Sequence, residues 1–255
     1  MPSISHPITY KTDADLKKME EGGKKLAEVK EEVRNIVRDG TNAQQIEDLA
    51  TKLVDKAGGE PSFKMVPGYS WTTCVNVNSG LVHGIPKETI IFKKDDLVSV
   101  DLGMYYKGFH TDTSFSEVIG NDPELSDFLR VGEKALENAI KEAVCGNRIF
   151  DISAAIEKTI VEANFRPIKA LVGHGVGKNL HEEPEIPCFR QWKKEATPEI
   201  LPGMTLAIEV MYAKGSGDIE ISDDGWTIST RDGKISALFE ETVAVTKERT
   251  KILTA

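Results

Sequence analysis

The sequence predicts an α+β protein made of two similar halves, each running helix, helix, then sheet. Three observations predict it. Amphipathic stripes of helical period come in two pairs, over about 12–58 and 124–161. Each pair is followed by strand-like segments, at 72–118 and again at 168–246. Four acids, Asp101, Asp112, Glu209 and Glu240, lie inside those strand-like segments. Helix-helix-sheet repeated without a low-complexity linker predicts two related halves packed as one domain, 1–255. The halves share this order of elements and no evident sequence similarity.

In chain order, Thr12 is placed to cap the first helix, with Asp15 three residues on. Met19, Leu26, Val29, Val33, Ile36 and Val37 supply its apolar stripe, and Gly40 is placed to end it. Thr41 with Gln44 reads as the capping box of a second helix, which carries Ile46, Leu49 and Leu53 and stops near Gly58. Strands follow at "TTCVNV" (72–77), "LVSVDLGMYY" (97–106) and "GFHTDTSFSEV" (108–118). A helix over about 124–144 carries Leu125, Leu129, Leu136, Ile140 and Ala143 and ends near Gly146. Asp151 reads as the cap of the next helix, through Val161. The last strands are expected around "IKALVGH", at "MTLAIEVMYA" (204–213) and at "SALFEETVAVT" (236–246).

Bulk properties narrow the function. The 255 residues carry a net charge of −9 and no long basic run, which argues against duplex nucleic acid as a partner. No apolar run of membrane-spanning length exists, and "MPSISHPITYKTDADLKK" lacks the apolar core of a signal peptide. Three widely spaced cysteines, Cys74, Cys145 and Cys188, form no C-x-x-C, so no zinc finger or disulfide framework is indicated. A cytoplasmic, reducing compartment is the expectation.

The acids carry the chemistry. Asp101 and Asp112 flank a turn at Tyr106–Lys107–Gly108. A two-residue loop at 106–107 pairs them directly, and one at 107–108 shifts the pairing by two, so either register puts both on one sheet face. Taken singly, each acid has a structural explanation. A cross-strand Asp pair can face solvent, Glu209 can lie on an edge, and parity sends one of Glu240 and Glu241 outward as surface decoration. Of five histidines, His174 stands between glycines in "GHG", where backbone can approach a ligand closely. His83 can be a satisfied turn residue in "VHGIP". His110 shares strand parity with Asp112 and is left a supporting or structural role. Jointly, four acids and His174 form an oxygen-rich set of formal charge about −4, which two divalent cations would cancel in a dinuclear hydrolase centre.

At this point the strings "VHGIP" (82–86), "DLGMYYKGFHTDTS" (101–114), "GHGVGKNLHEEP" (173–184), "PGMTLAIEV" (202–210), "DDGWTIST" (223–230) and "SALFEETVAVT" (236–246) resemble the type I methionine aminopeptidase family in order and separation. The resemblance covers about residues 6–254. It implies the pita-bread fold, whose pseudo-symmetric halves agree with the repeated element order. It implies that Asp101, Asp112, His174, Glu209 and Glu240 ligate two divalent metal ions (Co, Mn, Fe or Zn). It implies that His83 and His181 contact substrate and act in catalysis with Glu209 as proton shuttle. Tyr69, Cys74 and Trp226 match positions that help form the methionine side-chain pocket.

The implied reaction is removal of the N-terminal methionine from nascent chains and peptides whose second residue is small. The partners implied are peptide substrates only, with no membrane and no nucleic acid. Ribosome association would suit a nascent-chain enzyme, but no basic tract supports it, and a monomer is expected. The 35 residues from His174 to Glu209 leave no room for the type II insertion. The related prolidases usually carry an extra N-terminal domain, and only 100 residues precede Asp101. Non-catalytic relatives have lost ligands, whereas the full set stands here. Departures from the family pattern are Val82, Leu180, Val210 and Glu241, where cysteine, an aromatic residue, proline and histidine are usual.

Overall fold

The computed structural model describes residues 7–255; His6 lies outside them. The first half holds α1 (Asp13–Arg34), α2 (Ala43–Lys56) and strands β1 (Glu60–Pro61), β2 (Thr73–Val77), β3 (Gly80–Val82), β4 (Leu97–Tyr106) and β5 (Phe109–Val118). The second holds α3 (Pro123–Glu142), α4 (Ile149–Glu162) and strands β6 (Arg166–Pro167), β7 (Val172–Gly175), β8 (Glu182–Pro187), β9 (Thr205–Ala213), β10 (Ile219–Ile221), β11 (Ile228–Thr230), β12 (Ser236–Val245) and β13 (Thr250–Ile252). The helix-helix-sheet order therefore occurs twice.

The local chemistry explains the boundaries. The Thr12 hydroxyl accepts from the Asp15 amide while the Asp15 carboxylate accepts from the Thr12 amide, closing a capping box. The helix it starts ends at Arg34, so Ile36 and Val37 pack on the core from the following turn rather than from the helix. The second capping box is Asn42 with Gln45, one residue beyond the expected Thr41 with Gln44. Asparagine accepts as well as threonine does, and spacing alone does not separate two adjacent boxes. Asp122 caps α3, with Pro123 in the first turn, where its missing N–H costs nothing. Asp151 is the third residue of α4 rather than its cap; its carboxylate reaches back to the Arg148 amide.

The main sheet runs β1-β4-β5-β12-β9-β7-β8, with β2, β6 and β13 pairing β4, β9 and β12. Every pairing is antiparallel. The halves join at its centre, where Glu240 and Glu241 of β12 face Ser114 and Thr113 of β5. Helices α1 and α2 bury Leu26, Val33, Ile46 and Val54 against Val98, Val100, Leu102 and Phe115 of the first half. Helices α3 and α4 bury Phe128, Leu136, Ile152 and Ile156 against Ile208, Val210, Leu238 and Val243 of the second. In α3, Gly132 permits the close fit: a β-carbon there would come within 2.6 Å of the Phe239 ring and the Tyr212 hydroxyl. With both helix pairs stacked on one face, the opposite face is left to the polar residues of the strands.

Candidate metal and substrate site

The β4–β5 hairpin fixes the first two acids. Lys107 and Gly108 both adopt positive φ, 49° and 92°, as a two-residue hairpin turn of the type that matches strand twist requires. Tyr106 then pairs with Phe109, Asp101 with Ser114, and Asp112 with Gly103. This is the 107–108 register, so the two aspartates are diagonal neighbours on one face. On β9 and β12, Glu209 and Glu240 are direct cross-strand partners. His174 on β7 pairs with Ala207, two residues before Glu209 and hence on its face.

Five residues from five strands meet in this way. Ligating atoms of Asp112, His174 and Glu240 lie within 4.8 Å of one another. The His174 Nε2 is 3.5 Å from a Glu209 oxygen. Asp101 and Glu209 line the same cavity as those three. An Asp101 oxygen, the Ser114 hydroxyl and a Glu240 oxygen are buried without a hydrogen-bond partner among the described residues.

Such a cluster is electrostatically unfavourable by itself. Burial is the largest effect raising the carboxyl pKa values of Asp101, Asp112, Glu209 and Glu240, and the acids' mutual repulsion adds to it for the last three. Burial pushes the His174 imidazole down to about 3, so its contact with Glu209 is not an ion pair. Its Nδ1 lies 2.9 Å from the Gly175 carbonyl, an acceptor only, so Nδ1 carries the proton and the Nε2 lone pair points among the acids. One imidazole nitrogen with carboxylate oxygens, some unpartnered, is the donor set that divalent first-row metals favour. The residues present fit such ions.

The neighbouring residue of β12 behaves differently. Glu241 turns to the other sheet face and pairs with Lys30 of α1 at 2.6 Å, with both side chains largely buried. Lys30 also donates to the Thr113 hydroxyl and the Thr254 carbonyl, at 3.1 and 2.8 Å. Thr113 and Thr254 in turn donate to the other Glu241 oxygen. The expectation that one of the two glutamates is surface decoration is therefore corrected: parity separates them, but α1 covers the far face.

Three histidines besides His174 were singled out by the sequence. His181 stacks edge-on against His174, ring centroids 4.5 Å apart. His83 occupies the left-handed region at φ 57°, an unfavourable conformation for a non-glycine residue that the surrounding turn enforces. Gly84 presses that turn onto β2. Its carbonyl accepts from the Val75 amide at 2.9 Å and its amide donates to the Asn76 side chain at 3.1 Å. A β-carbon at Gly84 would meet the Val75 carbonyl at 2.2 Å. This explains the glycine of "VHGIP". Burial lowers the pKa of both His83 and His181, so both are neutral near pH 7. His110 is buried outside the cavity lining, its Nδ1 2.9 Å from the Ser62 hydroxyl and its ring against Tyr105.

The acids form one wall of a cavity of about 130 Å³ whose other wall is apolar. Tyr69, Cys74 and Trp226 line it, and Leu180 stands with them. The Tyr69 ring meets Trp226 and Trp71 edge-on, at centroid distances of 5.1 and 5.3 Å. Phe63 and Val66 also line it and were missed. They lie in "EPSFKMVPGYS", a stretch with no strand or helix period to mark an inward face. A wider groove of about 440 Å³ shares Val82, His83, His174, His181 and Glu209 with this cavity and opens past Pro7, Thr9 and Glu182.

An oxygen-rich centre with one imidazole, on a sheet shared by two similar halves and beside a narrow apolar pocket, is the layout of a metallopeptidase. The chain belongs to metallopeptidase family M24, whose pattern matches residues 17–247. It is 37% identical over 248 residues to methionine aminopeptidase 1 of Bacillus subtilis, covering 97% of this chain and 99% of that protein. The crystal structure of methionine aminopeptidase from Thermotoga maritima superposes with a TM-score of 0.94 at 38% identity, covering 97% and 99% of the two chains. A prolidase from Pyrococcus furiosus shares the pita-bread fold, with a TM-score of 0.77 at 20% identity, over 96% of this chain but 65% of the prolidase.

Proposed function

We propose that this protein is a metal-dependent methionine aminopeptidase that removes the N-terminal methionine from nascent chains and peptides whose second residue is small. The observation that carries this reading is the juxtaposition of an under-compensated ligand set with a narrow apolar pocket lined by Tyr69, Cys74, Leu180 and Trp226. Asp101, Asp112, His174, Glu209 and Glu240 are the residues we assign to two divalent ions. Mn, Fe, Co and Zn all suit this N/O set, and availability decides among them. When bound, such ions supply Lewis acidity and a water acidic enough to give a nucleophile near neutral pH.

The remaining work falls to the chain's own side chains. The apolar pocket takes the unbranched thioether side chain, and Leu180 in place of an aromatic residue still suits it. Glu209 takes a proton from the attacking water and passes it toward the leaving amine. His181 and His83 flank the scissile amide. As neutral imidazoles each can donate one hydrogen bond, His181 to the carbonyl oxygen as charge develops on it and His83 to the amide. The wider groove receives the rest of the peptide. The three unbridged cysteines suit a reducing, cytoplasmic setting.

The test is methionine release from Met-Gly-x peptides before chelation, after it, and after add-back of Mn, Fe, Co or Zn, with x-Pro-x peptides as the comparison. Metal-restored release from Met-Gly-x alone supports the reading. Cleavage of x-Pro-x in preference would move the chain to prolidase chemistry on the same fold.

A further inference from the structure

We propose that Glu47, on α2 and outside the metal site, is a positioning residue for methionine selectivity: it holds the wall of the side-chain pocket formed by Tyr69 and Cys74. The inference rests on the assignment of that pocket given above.

Glu47 sits on the core-facing side of α2, between Ala43, Ile46, Ala50 and Val54, and is 5% exposed. A carboxylate in such a place is costly unless its oxygens are satisfied. One oxygen accepts from the Thr72 amide at 2.7 Å; the other accepts from the Thr73 amide at 2.9 Å and the Thr73 hydroxyl at 2.8 Å. The Thr51 hydroxyl donates to the first at 3.3 Å, and the half-exposed Lys64 ammonium stands 3.7 Å away. One side chain thus grips two consecutive backbone amides where the chain enters β2. Hydrogen bonds to an ionised acceptor are the strong kind, and three on one carboxylate fix both the height and the rotation of that backbone.

The grip leads directly to the pocket. The Thr73 carbonyl accepts from the Tyr69 hydroxyl at 2.8 Å, and the Tyr69 ring buttresses Trp226. Cys74, the next residue, is buried and pairs with Asp101 across β2 and β4. Tyr69, Cys74 and Trp226 all line the cavity, whereas Glu47 does not. Glu47 therefore reaches the pocket wall through its hydrogen bonds to Thr72 and Thr73. An apolar pocket separates side chains differing by one methylene by about 10- to 200-fold, and only while its walls stay in place. In a cavity of about 130 Å³, a wall shift of a few tenths of an ångström is felt.

The test compares Glu47→Ala and Glu47→Gln with the wild type in the metal-loaded enzyme. It reads kcat and KM separately for Met-Gly-x, norleucine-Gly-x and Leu-Gly-x, and metal affinity by calorimetry. In Glu47→Ala we expect KM for Met-Gly-x to rise about tenfold with kcat little changed, and the preference for methionine over leucine to fall by a similar factor. Metal affinity stays as in the wild type. Glu47→Gln keeps the shape and one acceptor oxygen, and falls between. If Glu47→Ala does not fold, Glu47→Gln decides. An unchanged methionine-to-leucine ratio in a folded variant, whatever its thermal stability, overturns the proposal, as does loss of metal in parallel with activity. A wild type that releases no methionine at all would overturn the pocket assignment itself, a result distinguishable from a wild type that is selective and a variant that stays so.

Discussion

Two neighbouring residues of β12 show the difference between a carboxylate we assign to metal binding and one compensated within the protein. Glu240 and Glu241 point to opposite faces of the same sheet. Glu241 meets a lysine and two threonine hydroxyls, so its charge is compensated from the protein alone. Glu240 meets three other acids at close quarters and leaves one oxygen unpartnered among the described residues. Glu240 is 2% exposed and the Glu241 side chain 16%, so both are largely shielded from water and burial alone does not identify the role of either. The lesson is that a candidate metal ligand is recognised by its company: carboxylates converging in a cavity with no Lys or Arg side chain among its described lining residues.

The sharpest way to break this comparison is to remove ligands. Asp112→Asn and His174→Ala are each expected to abolish turnover and lower metal content, measured by methionine release and metal analysis. Near-wild-type activity with full metal in either variant would sink the ligand assignment. Next come His83 and His181, which we assign to the scissile amide. His83→Ala and His181→Ala should keep their metal and lose about two or more orders of magnitude in kcat, as expected for proton-transfer or oxyanion groups. Metal lost along with activity would move them into the ligand set.

On the far face, Lys30→Met leaves Glu241 without its cation. We expect a loss of about 2 kcal/mol in unfolding free energy, below the 3–5 kcal/mol of a fully buried pair because Glu241 keeps some exposure. Urea unfolding measures it, and an unchanged midpoint would show that the pair contributes nothing.

The last effect is on pH dependence. The site acids have folded pKa values raised above their unfolded values of about 4, so without metal the folded state binds more protons than the unfolded one. The acids' contribution to the stability of chelated protein should therefore fall as pH rises above about 4, by up to about 1.4 kcal/mol per pH unit for each such group. Added metal should flatten the slope. The buried histidines, whose folded pKa values are lowered, act in the opposite sense below about pH 6.5, so thermal unfolding of chelated protein at about pH 7 and about pH 8.5 checks the sign; greater stability at the higher pH would refute it.

The two faces were not equally legible in the sequence. The period-two rule placed Asp101 and Asp112 together whichever turn formed, because both registers preserved parity. Glu209 stood out as an acid within an apolar run. For Glu240 and Glu241, parity showed that they part but not which one faces the site; that depends on pairing with Glu209 across β9, a contact of residues 31 apart in sequence. Nor could spacing show that α1 delivers Lys30 to Glu241, 211 residues away. The helix starts were displaced where two capping patterns overlap, as at Thr41 and Asn42, or where an N3 acid resembles a cap, as at Asp151. Phe63 and Val66 escaped because a loop has no period. The pairing of halves was visible only as element order, and the structure gives it substance in the β5–β12 seam.

The central claim is that the charge missing around Glu240 is supplied by divalent cations, while Glu241 lacks none. Calorimetric titration of chelated wild type, Glu240→Gln and Glu241→Gln with Mn²⁺ tests it most directly. The account requires two ions per wild-type chain, at least one of them lost or bound about a hundredfold more weakly in Glu240→Gln, and near-wild-type binding in Glu241→Gln. Equal binding by all three proteins, or a larger loss in Glu241→Gln than in Glu240→Gln, would contradict it.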